Sequence, residues 1–370
     1  MFLRTTLPAA ALALLLAACG GGDDTATLRV VGDSLNDSGT FGIKFTVQGS
    51  STAATQIWVD RVASDVGAEP VCPRYNASLA LNPSATQCTS YAVGGGRINP
   101  KGTADDTTAI SVVQQLIDAS AAGRYDAKEL LFVDGGGNDA ADLVGAYLAI
   151  NSDGGASYTA LLGELLTPAQ VSAAVGGGQA GLAQAGGLYM TALANRLADA
   201  VNTHALNRGA QRVVILTAPD VTRTPRFLAV LAGIAAQTNQ ATADAVRDLA
   251  RSWVQAFNTQ LNTRFSGNNR VAMVDFYTTF NQWLTNPGTY GLTNTTTPAC
   301  PSTGTDTQGL PTYNIGTCTA VSLSANPPMG ASDPNWWQTY VFSDNFHGTP
   351  RTNQLMGDLV NGVLAGRGWN

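Results

Sequence analysis

Three side chains near the two ends of this chain have the chemistry to break an acyl bond together: a serine hydroxyl, an imidazole and a carboxylate. Ser34 lies in Gly32-Asp33-Ser34-Leu35, directly after an apolar run over residues 28–31. A strand that stops at a glycine and then presents a serine puts a hydroxyl at the carboxyl edge of a sheet, where open α/β sheets hold their active sites. Toward the other end, Ser343-Asp344-Asn345-Phe346-His347-Gly348 places a carboxylate and an imidazole three residues apart. The chain has 2 histidines, His204 and His347, so a base for Ser34 has few sources. Serine attack on an acyl carbon needs a base beside the hydroxyl, a group that orients the base, and donors aimed at the developing oxyanion. Ser34 is therefore the nucleophile candidate, His347 the base and Asp344 its orienter. Each also has a plainer reading: Ser34 as a helix N-cap after a strand, His347 as a surface histidine before the last helix, Asp344 as a cap. His204 falls near the end of a predicted helix, where an imidazole meets the dipole favourably and no chemistry is implied.

Donors for an oxyanion are offered by two further segments. Leu131-Phe132-Val133-Asp134-Gly135-Gly136-Gly137-Asn138-Asp139 reads as a strand, a glycine-rich turn and an asparagine, which brings an amide to the same sheet edge as Ser34. Tyr91-Ala92-Val93-Gly94-Gly95-Gly96-Arg97 is a second apolar run ending in glycines, whose backbone N–H groups can approach a ligand closely. Glycines after a strand also occur at phosphate sites, but neither segment carries the Gly-x-Gly-x-x-Gly spacing or the Lys-Ser/Thr of a nucleotide loop.

The elements that must position these groups read as α/β. Apolar, β-branched runs at 28–31, 130–133, 212–216 and 271–274 are bounded by turn signals and separated by helical periodicity, the pattern of a parallel sheet covered on both faces. A fifth strand is expected near residues 89–93. Helices are expected over 57–66, 110–122, 181–206, 227–265 with breaks, and 351–364. Residues 149–187, punctuated by glycine pairs, read as an insertion or irregular helical region. The polar, proline-bearing stretch 286–333 is too long for an unsupported loop, and a disulfide would order it.

At 370 residues and 44% hydrophobic composition the chain can bury a sizeable core. Its net charge of −6 and lack of a Lys/Arg run speak against nucleic acid as a partner. Arg4 precedes an apolar segment over residues 7–18, too short to span a bilayer and suited to a secretory signal. Leu16-Ala17-Ala18-Cys19 looks like a bacterial lipobox that would make Cys19 the lipidated first residue of the mature protein; an ordinary cleaved signal is the alternative. Residues 1–18 are thus read as signal peptide, 19–26 as lipidated tether and 27–370 as one catalytic domain. Cys72, Cys88, Cys300 and Cys318 then remain, an even number suited to an oxidising compartment. Pairing Cys72 with Cys88 and Cys300 with Cys318 is the most economical arrangement, and the two crossed connectivities stay open. No Cys-x-x-Cys spacing or nearby histidine supports a metal site.

Taken in order, these four segments resemble the sequence blocks of the GDSL family of SGNH hydrolases. Ser34, Asn138, Asp344 and His347 match position by position, and Gly95 takes the second block's glycine, with Gly94 and Gly96 one residue to either side. The resemblance implies a three-layer α/β/α sandwich with a central parallel sheet of about five strands, flavodoxin-like in type. It also implies an oxyanion hole built from the Ser34 N–H, the Gly95 N–H and the Asn138 side chain, with no cofactor. Gly32 through Gly39, and Tyr290 through Cys300, are similar to a branch of secreted bacterial esterases and lipases. Gly348 stands where many relatives have proline, a change expected to loosen the loop without touching the chemistry. With 23 residues after His347, the expectation is also that the β-barrel of some relatives does not follow.

Together these readings describe a serine esterase or lipase with an acyl-enzyme on Ser34. It is expected to be monomeric, anchored to a membrane through Cys19, and placed in the cell envelope or secreted. Gly20 after the cysteine points to the outer membrane in a Gram-negative source. Short acyl esters, lysophospholipids and acetylated polysaccharides all fit. A carbohydrate acetylesterase is the nearest alternative, with Trp336-Trp337 as a sugar platform; a non-enzymatic envelope binding protein is disfavoured by the complete catalytic set.

Overall fold

Runs of four or five mainly apolar residues, with Arg29 inside one and Arg212 leading another, form the centre of the molecule. In the computed structural model, which describes residues 27–100, 105–330 and 332–370, they are strands β1 (Leu28–Val31), β2 (Leu130–Val133), β3 (Arg212–Leu216) and β4 (Val271–Val274). All pairs are parallel, in the spatial order β1-β2-β3-β4, with Val30 opposite Phe132, Phe132 opposite Val214 and Ile215 opposite Met273. Alternate residues point to opposite faces. Val30, Phe132 and Val214 enter one apolar layer, while Val31, Val133 and Ile215 enter the other.

Helices cover both layers. The chain runs from β1 into α1 (Trp58–Asp65) and α2 (Val112–Ala121), and from β2 into α3 (Gly137–Leu148). Four helices follow, α4 (Ile150–Asp153), α5 (Ala156–Leu165), α6 (Pro168–Gly176) and α7 (Gly178–His204), before β3. Then come α8 (Pro225–Gln237), α9 (Gln240–Phe265), β4, α10 (Phe276–Thr285), a two-residue hairpin of β5 (Gly304–Thr305) and β6 (Pro311–Thr312), α11 (Ala320–Ala325) and α12 (Pro350–Arg367). Side chains of α1, α10 and α12 share the Val30 layer, and those of α2, α3, α5, α7 and α9 share the Val31 layer, which completes a three-layer α/β/α sandwich.

Two expectations are corrected. The fifth strand reduces to a single parallel bridge between Val30 and Ser90. Its segment still lies along the outer edge of β1, where the Tyr91 N–H donates to the Val30 carbonyl at 2.7 Å and the Val93 N–H to the Gly32 carbonyl at 3.2 Å. The Cys72–Cys88 disulfide sits beside it, and the Ser90 N–H donates to the Cys72 carbonyl. Residues 149–187 are not irregular: Gly154 and Gly155 sit between α4 and α5, Gly177 separates α6 from α7, and Gly186 and Gly187 lie inside α7. The reason for Gly186 is packing. A Cβ there would stand 2.3 Å from the Trp253 ring, so glycine lets α7 and α9 approach. Elsewhere the breaks in 227–265 resolve into α8 and α9, parted at Thr238 and Asn239. Residues 1–26, with the signal peptide, Cys19 and tether expected there, lie outside the described residues.

Candidate active site

The nucleophile end is set by position in the sheet. Residues 89–93 flank β1 on one side and β2 on the other, so the chain reverses its direction of strand addition at β1, and a crevice opens beyond that strand's carboxyl end. Ser34 stands there. Gly32 turns the chain with φ +144°, and a Cβ on it would lie 1.6 Å from Asp134 Oδ1, so no other residue fits. The turn is gripped from both sides. Gln115 of α2 accepts from the Gly32 N–H at 2.7 Å and returns a hydrogen bond to the Gly32 carbonyl at 3.0 Å. Asp134 Oδ1 accepts from the Asp33 N–H at 2.9 Å. The Asn36 amide donates to the Val31 carbonyl at 3.0 Å, and its oxygen accepts from the Trp58 indole at 3.1 Å.

The acid–base end is a loop that closes just before α12, whose start is fixed by the Thr349 cap and Pro350 at its first position. His347 Nε2 lies 2.8 Å from Ser34 Oγ, and Nδ1 lies 2.8 and 2.9 Å from the two oxygens of Asp344. Asp344 Oδ1 also accepts from the backbone N–H groups of Phe346 and His347. Phe45 packs on the imidazole, ring centroids 4.9 Å apart. Gly348 is held in place by its neighbours. Its carbonyl accepts from Thr46, Ser343 and Asn353, and a Cβ on it would meet Thr352 at 2.7 Å.

Among the three consecutive glycines, hydrogen bonding distinguishes one. The Gly94 N–H is taken by Asp37 Oδ2 at 2.7 Å and the Gly96 N–H by the Val93 carbonyl at 2.9 Å. Among the described residues nothing accepts from the Gly95 N–H or from the Ser34 N–H. Asn138, in the first turn of α3, donates to the Gly96 carbonyl at 3.0 Å, and Arg97 holds the Gly95 carbonyl at 2.6 Å. Ser34, Gly95, Asn138 and His347 line one cavity of about 220 Å³, whose walls include Phe45, Phe276, Phe280, Phe342 and Met356. His204 does not reach it. As the last residue of α7, it has its pKa pushed down by partial burial and by Arg208, the opposite of what a dipole-stabilised imidazolium would show. Trp336 and Trp337 do not line it either; their indoles donate to the Leu323 carbonyl and to Ser324 in a separate loop core.

Electrostatics sort the carboxyls. Burial opposes ionisation of Asp344, but the facing His347 charge and the hydrogen bonds it receives pull its pKa below the ordinary value. Burial likewise opposes the imidazolium, yet Asp344 and then Asp33 hold the His347 pKa above the ordinary value. Asp134 is different. Burial and the neighbouring Asp33 charge push its pKa well above the carboxylate range, and its buried Oδ2 has no hydrogen-bond partner among the described residues. Asp139 is raised to about 6 by burial, although Ile98 and Asn99 both donate to it.

Sequence reading missed Gln115, Asp134 and Phe45. Gln115 had a signal, a polar residue on the apolar stripe of Val112, Leu116 and Ala119; Asp134 and Phe45 had none. Both disulfides pair as the economical connectivity expected, Cys72 with Cys88 and Cys300 with Cys318. Among the described residues no group of three or more His, Cys, Asp or Glu side chains is placed to hold a metal ion.

A parallel α/β/α sandwich with a hydrogen-bonded serine, histidine and aspartate at its topological switch point defines a class of hydrolases. The chain matches the model of the GDSL-like lipase/acylhydrolase family over residues 28–360, and it belongs to that family. Membership makes it a hydrolase of ester substrates. No curated protein matches the sequence.

Proposed function

We propose that the protein is a serine esterase that hydrolyses carboxylic esters through an acyl-enzyme on Ser34. The observation that carries this reading is the unbroken hydrogen-bonded line from Asp344 through His347 to Ser34, opening into an apolar cavity beside two backbone N–H groups that find no acceptor among the described residues. In the first half-reaction Ser34 Oγ attacks the acyl carbon while His347 Nε2 takes its proton. Asp344 keeps the proton on Nδ1 and stabilises the imidazolium. The carbonyl oxygen, now an oxyanion, is met by the Ser34 and Gly95 N–H groups and by the Asn138 amide. His347 then gives its proton to the leaving alcohol. In the second half-reaction it deprotonates a water that attacks the acyl-enzyme and frees the acid.

Replacement of Ser34 by alanine tests this directly. The hydroxyl contributes little to packing, so Ser34→Ala is expected to stay folded and to lose at least about a thousandfold in turnover; activity above that level removes Ser34 from the nucleophile role. A sugar-ester reading is less well supported, because the two tryptophans that would stack a sugar lie outside the cavity.

Two disulfides suit an oxidising compartment, and among the described residues no helix is long and apolar enough to cross a membrane. The lipobox-like Leu16-Ala17-Ala18-Cys19 supports an envelope lipoprotein of the secreted esterase branch, with residues 1–18 removed, 19–26 as a tether acylated at Cys19 and 27–370 as the hydrolase domain. Mass spectrometry of the mature amino terminus tests it, and an unmodified terminus on a fully soluble protein overturns it.

A further inference from the structure

A second cavity, of about 580 Å³, opens off the catalytic one. The two share Ala141, Val221, Thr224 and Phe346 in their walls. The second runs as a groove between α3 and α8, past Val144, Leu148, Phe227, Val230 and Ile234, with Leu310 of the β5–β6 turn above it. Its polar groups do not offer a site for a charged or sugar headgroup. Among the described residues the one cation in its wall, Arg226, is paired with Asp306 at 3.1 Å. The Thr224 hydroxyl, at the junction with the catalytic cavity, donates to the Val221 carbonyl in its own turn. Exposed Ser152, Gln237 and Gln308 lie in its walls as well, where the groove meets solvent.

We infer that this groove is an acyl-chain track, and that the protein's substrates are esters of long aliphatic acids, with Phe346 as the sill over which the chain passes. The inference rests on the esterase reading above and gives it a substrate class. The junction includes Ala141, one helical turn beyond Asn138 on α3, so one wall of the groove continues from the helix that carries the oxyanion donor. Throughout both half-reactions the acyl carbon is the atom bound to Ser34, and the chain it carries is the group that a track starting there receives. Along α8 from Phe227 to Gln237 the track extends about 15 Å, the reach of an acyl chain of roughly a dozen carbons and far more than an acetyl group uses. An apolar channel of this kind favours a long chain by the hydrocarbon area it removes from water. Phe346 is 40% exposed, unusual for a large apolar side chain between two catalytic residues, and the edge it presents divides the two cavities.

Gly233 allows the track to be blocked without disturbing the core. It lies on α8 in the groove wall, a Cβ there would meet nothing within 4 Å, and any larger residue improves helix propensity. The measurement is kcat/KM for two ester series, p-nitrophenyl esters from acetate to dodecanoate, which vary the acyl chain, and alkyl acetates from methyl to dodecyl, which vary the alcohol. Wild type is expected to favour dodecanoate over acetate. Gly233→Phe is expected to lower that ratio at least tenfold while leaving the chain-length dependence of the alkyl acetates as it was. Gly163→Phe, the same added bulk on α5 away from both cavities, is expected to keep the wild-type ratio. If Gly233→Phe does not fold, Gly145→Phe blocks the opposite wall and is read in the same way. A dodecanoate-to-acetate ratio unchanged within twofold overturns the inference, as does a loss confined to the alkyl acetates, which would make the groove the alcohol site. Either result leaves the esterase reading standing. Hydrolysis that persists in Ser34→Ala overturns the esterase reading, and the acyl track with it.

Discussion

Ser34 hangs from the end of a buried strand, whereas His347, 2.8 Å away, sits on a loop stitched to other loops. The nucleophile's supports come from regular structure: Gln115 on α2, Asp134 at the end of β2, and Trp58 on α1 through Asn36. The supports of the acid–base pair come almost wholly from irregular chain. The Ala299 and Cys300 N–H groups donate to the Phe342 and Ser343 carbonyls, the Cys300–Cys318 disulfide closes that excursion, and the Gln48 N–H donates to the Cys318 carbonyl, next to the strip that carries Phe45. A strand end buried on both faces needs no covalent help to hold a serine. The histidine loop leaves the core at Val341 and Phe342, and the polar, proline-bearing stretch that braces it is closed by a disulfide, which adds stability by restricting the unfolded chain.

The largest effect expected from either half, after loss of the nucleophile itself, is loss of the base. His347→Ala should lower turnover by on the order of a thousandfold or more, while His204→Ala should change it by less than about twofold. Equal losses in steady-state assays would mean that the catalytic loop acts only as scaffold.

Next comes the donor side of the cavity. Asn138→Ala is expected to lower kcat roughly a hundredfold with KM little changed, because an oxyanion donor acts in the transition state. A change confined to KM would assign Asn138 to substrate binding instead.

The two disulfides put the contrast to its most direct test. Cys300→Ser with Cys318→Ser should cost activity as well as stability, with kcat down about tenfold at a temperature where the fold survives, since a displacement of the base by about 1 Å suffices for losses of that order or more. Cys72→Ser with Cys88→Ser frees only the segment outside β1 and should act mainly on the melting temperature, at a cost of about 3 kcal/mol for a loop of this size. If both pairs lower kcat alike, the two halves are not separately supported.

The smallest expected effect is on the nucleophile's own floor. Asp134 has a folded pKa well above its unfolded value, so the folded state keeps its proton longer and wild-type stability falls as pH rises from the ordinary carboxylate value of 3.8 toward the folded one. Asp134→Asn keeps an acceptor for the Asp33 N–H and does not titrate. Its melting temperature relative to wild type should therefore rise by a few degrees between pH 4.5 and pH 8, and an unchanged difference across that range would show Asp134 ionised without cost. Asp139, raised to about 6, weakens both proteins in the same direction and cancels in the comparison.

How much of this was legible depended on how far apart the interacting residues lie in the chain. The four strands were readable because a strand covered on both faces is made mostly of apolar residues, and the helix starts at Thr224-Pro225 and Thr349-Pro350 because capping chemistry is local. Ser34 and the Asp344–His347 spacing were readable because few residue types can do their chemistry and the chain holds two histidines. The choice of Gly95 was not, since it turns on which of three neighbouring N–H groups the tertiary contacts leave free. Nor could Gln115 be matched to Gly32 across 83 residues, or a groove foreseen between two helices separated by β3 and the helices that follow β2. Periodicities, turn and cap positions and reactive residue types can be read from the chain alone, because each is a property of a short window of residues. Which N–H groups find no acceptor among the described residues, which carboxyl keeps its proton and where a second cavity opens follow from the fold, because each is set by burial and by partners that the folded backbone brings together.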